Sequence, residues 1–355
     1  MMAKIIFAGA GTAGHVEPAL AVATWLRENH PEIESIFLGT AEGVEATLVP
    51  AANFPLRFIE KLPFPRRLNV NSLKWPLRFR RVLSDTREIV RGADLVIGFG
   101  GYVAAPAYLS ARKFGIPVIA HEANAKMGLA NKLARRQGAT VLHAFGESER
   151  VGIPLRSSIV DLVQLSAIER QAEKERVLRS FNLDPKAPTV LIFGGSLGSI
   201  KFNEAVEGAQ KEITRMGIQI IHAVGAKNEL PQAQAGYLPL SYIDDMASAY
   251  AACNLVISRS GAVTVTETGA LGIYSLYVPL PIGNGEQDEN AKEVVRSGGG
   301  EIIQNEQFTA DWLKSNIKRL LESAAMWSAA GKRMDFPLHA SEEIGLRTLK
   351  ALAHE

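Results

Sequence analysis

The chain of 355 residues reads as α/β, two tandem Rossmann-like doubly wound domains, and three observations carry that reading. Short apolar runs recur along it, each followed by glycines and a helix-like stretch, which is the pattern of parallel strands covered on both faces. The length suits two domains at roughly 100 to 200 residues each. The composition is that of an ordinary globular protein, 47% hydrophobic and 21% charged, which excludes a fibre, a disordered tail and a small disulfide scaffold.

In chain order, strands are expected at 5–8, 35–38, 95–97, 117–120 and 140–143, then at 189–193, 219–223, 255–258 and 275–278. Helices are expected at 168–180, 201–215 and 262–271, and a turn at Asn182-Leu183-Asp184-Pro185. The sheet pattern stops after Pro154, which sets the domains at 1–160 and 161–340, followed by a C-terminal helix at 341–355 that sequence assigns to neither domain. Two long uncharged stretches, 95–111 and 268–285, approach the roughly 20 residues that span a bilayer. Glycine and proline interrupt both, so they read as strand-loop-helix segments. The N-terminus lacks the apolar core of a signal peptide. The single Cys253 reads as a small buried hydrophobe, excludes an intrachain disulfide and suits a reducing compartment.

The near-balance of 39 basic and 37 acidic residues hides an asymmetry. Residues up to Arg156 hold 20 basic against 13 acidic, and the remainder 19 against 24. The excess is concentrated between Arg57 and Arg91, with ten basic residues and three acidic ones. There Phe64, Leu68, Leu73, Trp75, Leu77 and Phe79 interleave with Arg66, Arg67, Lys74, Arg78, Arg80 and Arg81, a mixture suited to an anionic membrane surface. The patch is too local for a nucleic-acid-binding face.

Three glycine loops join strands to helices. The first, Gly9-Ala10-Gly11-Thr12-Ala13-Gly14, matches the dinucleotide fingerprint, yet the second strand ends Leu38-Gly39-Thr40 with Glu42 only beyond it, and a ribose-binding acid is wanted there. More informative is His15, directly after the last glycine and in the first turn of a helix. The positive helix end disfavours imidazolium, so His15 is a candidate base; a histidine that merely caps the helix would look the same. The second loop, Gly194 to Ser199, and the third, Ser258 to Gly261, offer backbone N–H groups and helix starts to a phosphate, and neither carries the Gly-Lys-Ser/Thr of a P-loop. Glu267, further along the third helix, is placed to take a ribose. Gly98-Phe99-Gly100-Gly101-Tyr102 is a fourth glycine-rich element, and a cleft between the domains is where its ligand and the nucleotide would meet. Asp244-Asp245 reads as a helix cap rather than a metal-binding pair.

The segments GAGTAGHVEPALA, GFGGYVAAPAYL, HEANAKMGLANKLA, VGIPLR, FGGSLGS, YIDDMASAYAACNLVISRSGAVTVTETGALG and NGEQDENA occur in this order over residues 9 to 291. With them the chain resembles the MurG family, bacterial transferases that move N-acetylglucosamine (GlcNAc) from UDP-GlcNAc to undecaprenyl-pyrophosphoryl-N-acetylmuramyl pentapeptide (lipid I), giving lipid II for peptidoglycan. The resemblance implies the two-Rossmann glycosyltransferase B fold, inversion at the sugar, no tightly bound cofactor, and a peripheral place on the cytoplasmic face of the cell membrane. Divalent-cation assistance is left open. It makes the first domain acceptor- and membrane-facing and the second donor-binding, and brings in partners from the cell-wall synthesis or division machinery.

Residue by residue, Thr12, Ala13 and Gly14 match the loop near the donor sugar and the acceptor pyrophosphate, and Asn124 matches the asparagine at the GlcNAc. Arg156 and Ser196 match donor-nucleotide contacts, and Ile243 the residue whose backbone reads uracil. Ala262, Val263, Thr264, Val265, Thr266 and Glu267 match the diphosphate-and-ribose helix start, and Gln287 the glutamine at the sugar hydroxyls. Gly100, Gly101 and Tyr102, with Trp75, Leu77, Arg78, Phe79, Arg80 and Arg81, make up the acceptor and membrane set. Ala13, Ala123, Ile153 and Glu286 depart from the commonest family pattern without removing a matched ligand group. The expected chemistry is attack of the acceptor C4 hydroxyl on C1 of the donor, with His15 as base and Glu122 as the second candidate. UDP-GlcNAc 2-epimerases and natural-product glycosyltransferases share the architecture, so fold alone does not select the reaction; a catalytically idle donor-binding scaffold is the reading from another class.

Overall fold

The computed structural model describes residues 3–63, 70–146, 149–195, 198–281 and 285–353. The chain divides into two compact units, Met1–Arg156 with Pro337–Glu355, and Ser157–Phe336.

In the first unit the elements run β1 (Lys4–Gly9), α1 (Ala13–Asn29), β2 (Glu34–Gly39), α2 (Glu45–Ala51), β3 (Leu56–Phe58), α3 (Val70–Val90), β4 (Leu95–Gly100), α4 (Ala104–Phe114), β5 (Val118–Glu122), α5 (Leu129–Arg136) and β6 (Thr140–His143). The strands form a parallel sheet in the order β3-β2-β1-β4-β5-β6. Burial on both faces explains the unbroken apolar runs: Ile5 and Phe7 face one core with α1 and α2, while Ile6 and Ala8 face the other with α3 and α4. Phe7 stacks between Phe37 and Phe99, at 5.1 and 6.3 Å between ring centroids.

The second unit repeats the plan. Its elements are α6 (Ser157–Gln164), α7 (Ala167–Ser180), β7 (Thr189–Phe193), α8 (Ile200–Arg215), β8 (Gln219–Ala223), β9 (Tyr237–Leu240), α9 (Met246–Ala252), β10 (Leu255–Ser258), α10 (Ala262–Leu271), β11 (Ser275–Tyr277), α11 (Glu286–Arg296), β12 (Gly300–Ile302) and α12 (Ala310–Ala329). The parallel order is β12-β11-β10-β7-β8-β9. Ser166 and Glu169 close a capping box at the start of α7. Asp245 caps α9 by accepting from the Ser248 N–H at 3.1 Å, and Asn182 turns the chain with a φ of 55°. Cys253 is free and buried, and burial pushes its thiol up to about 12.

A cut at 160/161 falls inside α6, which stays whole in the second unit. The last helix, α13 (Ala340–Leu352), returns to the first unit. It docks on α1, where Gly345 has no side chain and the indole of Trp25 closes over it, and its Ile344 enters the core beside Phe7.

Each sheet changes direction once, between β1 and β4 in the first unit and between β7 and β10 in the second. Loops that leave such a pair of strands diverge to opposite faces and open a crevice at the carboxyl end of the sheet. That places the loop after β1 beside the loop after β4, and the loop after β7 beside the loop after β10.

Candidate active site

At the switch point of the first unit the two loops are in backbone contact. Gly100 and Gly101 have φ of 104° and 83°, values favourable only to glycine. A Cβ on Gly101 would run into the backbone of Ala10, and one on Gly100 would stand 3.1 Å from Nε2 of His15. His15 is therefore held between the loops, in the first turn of α1 behind the capping residue Thr12. Its Nδ1 lies 3.1 Å from the carbonyl oxygen of Ala10 and 3.4 Å from the Thr12 hydroxyl. A carbonyl has only lone pairs to offer, so Nδ1 carries the proton and Nε2 keeps its lone pair. Desolvation holds the imidazole below its ordinary pKa, against the Ala10 bond and the charges of Glu122 and Glu45, which act the other way. The neutral base is thus a product chiefly of burial. The ring lines a cavity of about 210 Å³ with Phe99, Gly100, Gly101, Glu122 and Asn124.

Glu122, the second candidate base, is engaged as an anchor. Its Oε1 accepts from the backbone N–H of Asn124 at 3.0 Å and lies 3.4 Å from that residue's amide; its Oε2 accepts from the Gly128 N–H at 2.8 Å and from Asn131 at 2.9 Å. With donors on both oxygens it holds the loop 123–128 and aims Asn124 at the cavity. Tyr108 continues the chain by donating to Asn131 at 2.9 Å, and burial raises its hydroxyl far out of range of ionisation. Asn131 and Tyr108 lay outside the sequence-based set; only their polar groups on otherwise apolar helix faces signalled them. Tyr102, 42% exposed, lies under the Lys61 ammonium, 5.6 Å from its ring centroid. Arg156 pairs with Glu17 of α1 at 3.6 Å.

In the second unit, Ser196 falls outside the described residues, as do Leu197 and the Asn284 of the NGEQ segment. The loops after β7 and β10 are joined by Arg259, a residue sequence reasoning quoted but did not single out. Its Nη1 donates to the carbonyls of Val278 and Pro279 and to Asn305, at 2.9, 3.2 and 2.8 Å; its Nη2 donates to the Ser199 hydroxyl at 3.0 Å. All these partners are neutral, and the guanidinium lies 4.8 Å from the Phe202 ring centroid. A buried cation of the loop after β10 thus ties that loop to the one after β7 and to the segment after β11. Asn290 of α11 ties the same region by donating to the Ser260 carbonyl at 3.2 Å.

α10 starts behind Gly261, so its first N–H groups, at Ala262, Val263 and Thr264, point out of the positive helix end, with Val265 and Thr266 buried behind them. Glu267 is 3% exposed, not a solvated helix carboxylate, and its Oε2 accepts from the Tyr250 hydroxyl at 2.9 Å. Ile243 is buried between β9 and α9. Gln287 accepts from the Leu280 N–H at 2.9 Å and so braces the segment before α11.

The predicted site residues therefore fall into two groups. Thr12, Ala13, Gly14, His15, Glu122, Asn124, Arg156 and the Gly100-Gly101-Tyr102 turn belong to the first unit, and Ile243, 262–267 and Gln287 to the second.

The basic apolar face is carried by α3. Val82, Thr86 and Val90 form its buried stripe, while Lys74, Arg80 and Arg81 are exposed and Leu77 is 67% exposed. Trp75 and Phe79 stack at 4.8 Å, and the Trp75 indole donates to the Pro63 carbonyl at 3.1 Å. Arg78 is committed to Glu60. Phe64, Arg66, Arg67 and Leu68, with the side chain of Leu73, fall outside the described residues. No helix among the described residues is long and apolar enough to cross a membrane.

Known proteins match this arrangement. The glycosyltransferase family 28 N-terminal domain covers residues 5–142 and the glycosyltransferase family 28 C-terminal domain residues 189–341. A UDP-N-acetylglucosamine–N-acetylmuramyl-(pentapeptide) pyrophosphoryl-undecaprenol N-acetylglucosamine transferase of Corynebacterium efficiens is 45% identical over 91% of this chain and 89% of its own. The Streptomyces coelicolor protein of the same name is 44% identical over 89% of each. The crystal structure of Acinetobacter baumannii MurG superimposes with a TM-score of 0.69 at 29% identity, over 98% of this chain and 99% of that one. A UDP-GlcNAc 2-epimerase from Neisseria meningitidis bound to UDP-GlcNAc shares the fold, with a TM-score of 0.60 at 14% identity. On these matches the chain belongs to glycosyltransferase family 28 and, within it, to the MurG family of N-acetylglucosamine transferases.

Proposed function

We propose that this chain transfers GlcNAc from UDP-GlcNAc to the C4 hydroxyl of N-acetylmuramate in lipid I, forming lipid II for peptidoglycan. The observation that carries the reading is His15: a neutral imidazole, its Nδ1 proton held by Ala10, with the Nε2 lone pair beside a cavity. That is the equipment for taking a proton from an attacking hydroxyl.

The acceptor oxygen attacks C1 of the α-linked sugar as its proton passes to Nε2, the C1–O bond to UDP breaks, and the new bond is β-1,4. Charge develops on the departing diphosphate. The start of α10 and the buried guanidinium of Arg259 supply fixed positive potential there, which costs no reorganisation during the reaction. Glu267 takes the ribose hydroxyls, the Ile243 backbone reads uracil, and Asn124 and Gln287 address the sugar. Ser196 and Arg156 complete the donor set by family position. Gly100, Gly101 and Tyr102 border the acceptor. The stacked Trp75 and Phe79 with Leu77, Lys74, Arg80 and Arg81 hold the chain peripherally against an anionic membrane, at the cytoplasmic face where a lipid-linked acceptor resides.

The test is release of UDP from UDP-GlcNAc with and without a short-chain lipid I analogue, with identification of the sugar product. Acceptor-dependent release and a β-linked disaccharide are expected. Tight UDP-GlcNAc binding without release would make the chain a donor-binding scaffold, and release or isomerisation without acceptor would make it a hydrolase or epimerase.

A further inference from the structure

The first glycine loop rests on a carboxylate that the proposed reaction does not use. Glu45, at the start of α2, is wholly buried. Its Oε2 accepts from the Gly11 backbone N–H at 2.8 Å, and its Oε1 accepts from both the N–H and the hydroxyl of Thr40, each at 2.8 Å. Two glycines clear its path: a Cβ on Gly39 would stand 2.6 Å from its Cγ, and one on Gly43 would overlap the carboxylate. Among the described residues no cation pairs with it. Burying an acid in this way is costly unless its hydrogen bonds are made, and bonds to a carboxylate are roughly twice as strong as neutral ones.

What this carboxylate grips is the residue that matters for the imidazole. Gly11, with a φ of 96°, lies between Ala10, whose carbonyl holds the Nδ1 proton of His15, and Thr12, which caps the helix bearing His15. In a dinucleotide-binding loop such an amide would turn to the pyrophosphate; here it is committed inward.

We infer that Glu45 is a positioning residue for catalysis, which clamps Gly11 to the end of β2 and thereby sets the direction of the His15 Nε2 lone pair. The inference rests on the reading of His15 as the base. A misplacement of about 1 Å at a reacting group costs on the order of 10²-fold in rate, and that is the size of effect at stake.

The experiment is steady-state kinetics of Glu45→Gln and His15→Ala with UDP-GlcNAc and the lipid I analogue, alongside UDP-GlcNAc binding and circular dichroism. Gln keeps the size but sets an NH₂ against one of the donors. The expected result for Glu45→Gln is a kcat lowered on the order of 10²-fold, with donor KM and donor binding unchanged. A wild-type kcat in Glu45→Gln, while His15→Ala has lost turnover, would overturn the inference. So would a loss of donor affinity equal to the loss of kcat, because that marks a general structural role. Undiminished turnover in His15→Ala would instead remove the base assignment on which the inference stands. If Glu45→Gln does not fold, hydrogen exchange at the Gly11 amide of the wild-type chain decides: slow exchange is expected, and exchange at the rate of an open loop overturns the clamp.

Discussion

The loops after β1 and after β10 both join a strand to a helix, the first through several glycines and the second through the single Gly261, yet opposite charges are set against them. Beneath Gly11 lies the carboxylate of Glu45; the loop after β10 itself supplies the guanidinium of Arg259, which bonds to Val278, Pro279 and Asn305 and reaches Ser199 of the loop after β7. In the proposed reaction the first loop, whose Gly11 amide is already given to a buried anion, mounts the base. In the same proposal the loop after β10, which carries the buried cation, faces the departing diphosphate. We propose that the charge set against each loop, more than its glycine spacing, fits the loop to its role.

The largest expected effect separates the loops by function. His15→Ala should lower kcat by about 10² to 10⁴-fold, the usual worth of a general base, and leave UDP binding as it was. Next comes Arg259→Met, which removes the cation and leaves the Ser199 and Asn305 oxygens without their donor. All the bonds of Arg259 are to protein groups, so its effect on UDP runs through loop placement and potential, and UDP affinity should fall by roughly 10-fold, about 1.4 kcal/mol. Calorimetric titration with UDP checks this, and an unchanged Kd would break the comparison from the second unit's side.

Acidity sharpens it further. On the proposal that His15 is the base, it must be neutral to accept a proton, and because burial lowers its pKa, kcat should hold below pH 6.5 and decline only as pH falls through the lowered value. An acid limb above 6.5 in the kcat profile would contradict that. Stability has a separate window. His121 in the first unit and His222 in the second are buried and held neutral down to about 4. The unfolded chain binds these protons first, so stability is complete above about 6.5 and is lost as pH falls from there toward 4, by roughly 3 kcal/mol per histidine at most. Urea unfolding at pH 7.5 and 5 reads this out.

The smallest effect concerns the periphery. Neutralising Arg80 and Arg81 together should weaken binding to anionic vesicles by about 1 kcal/mol each. Arg78, already paired with Glu60, should contribute less.

The fold was legible where strands are buried on both faces, since β1, β4, β7 and β10 are unbroken apolar runs. The strands that sequence did not reveal, β3, β9 and β12, are three or four residues long and lie at sheet edges, where one neighbour is missing and the apolar signal thins. In the site, His15 and Glu267 stood out because each is a titratable group at a fixed distance from a glycine loop. Their supports did not. Glu45 acts on Gly11 across 34 positions and Arg259 on Ser199 across 60, and such pairings follow from the switch-point topology rather than local spacing. The strand β2 ends without the ribose-binding acid of a dinucleotide site, Glu42 lying only beyond it, whereas the acid that turns under the loop is Glu45, three residues further on at the start of α2.

Hydrogen–deuterium exchange of the full chain with and without UDP tests the contrast between the loops most directly, since UDP carries the diphosphate without the sugar. The account predicts slower exchange in peptides spanning 194–200 and 258–267, and no change at 9–16. Protection at 9–16 with none in the other two segments would contradict it.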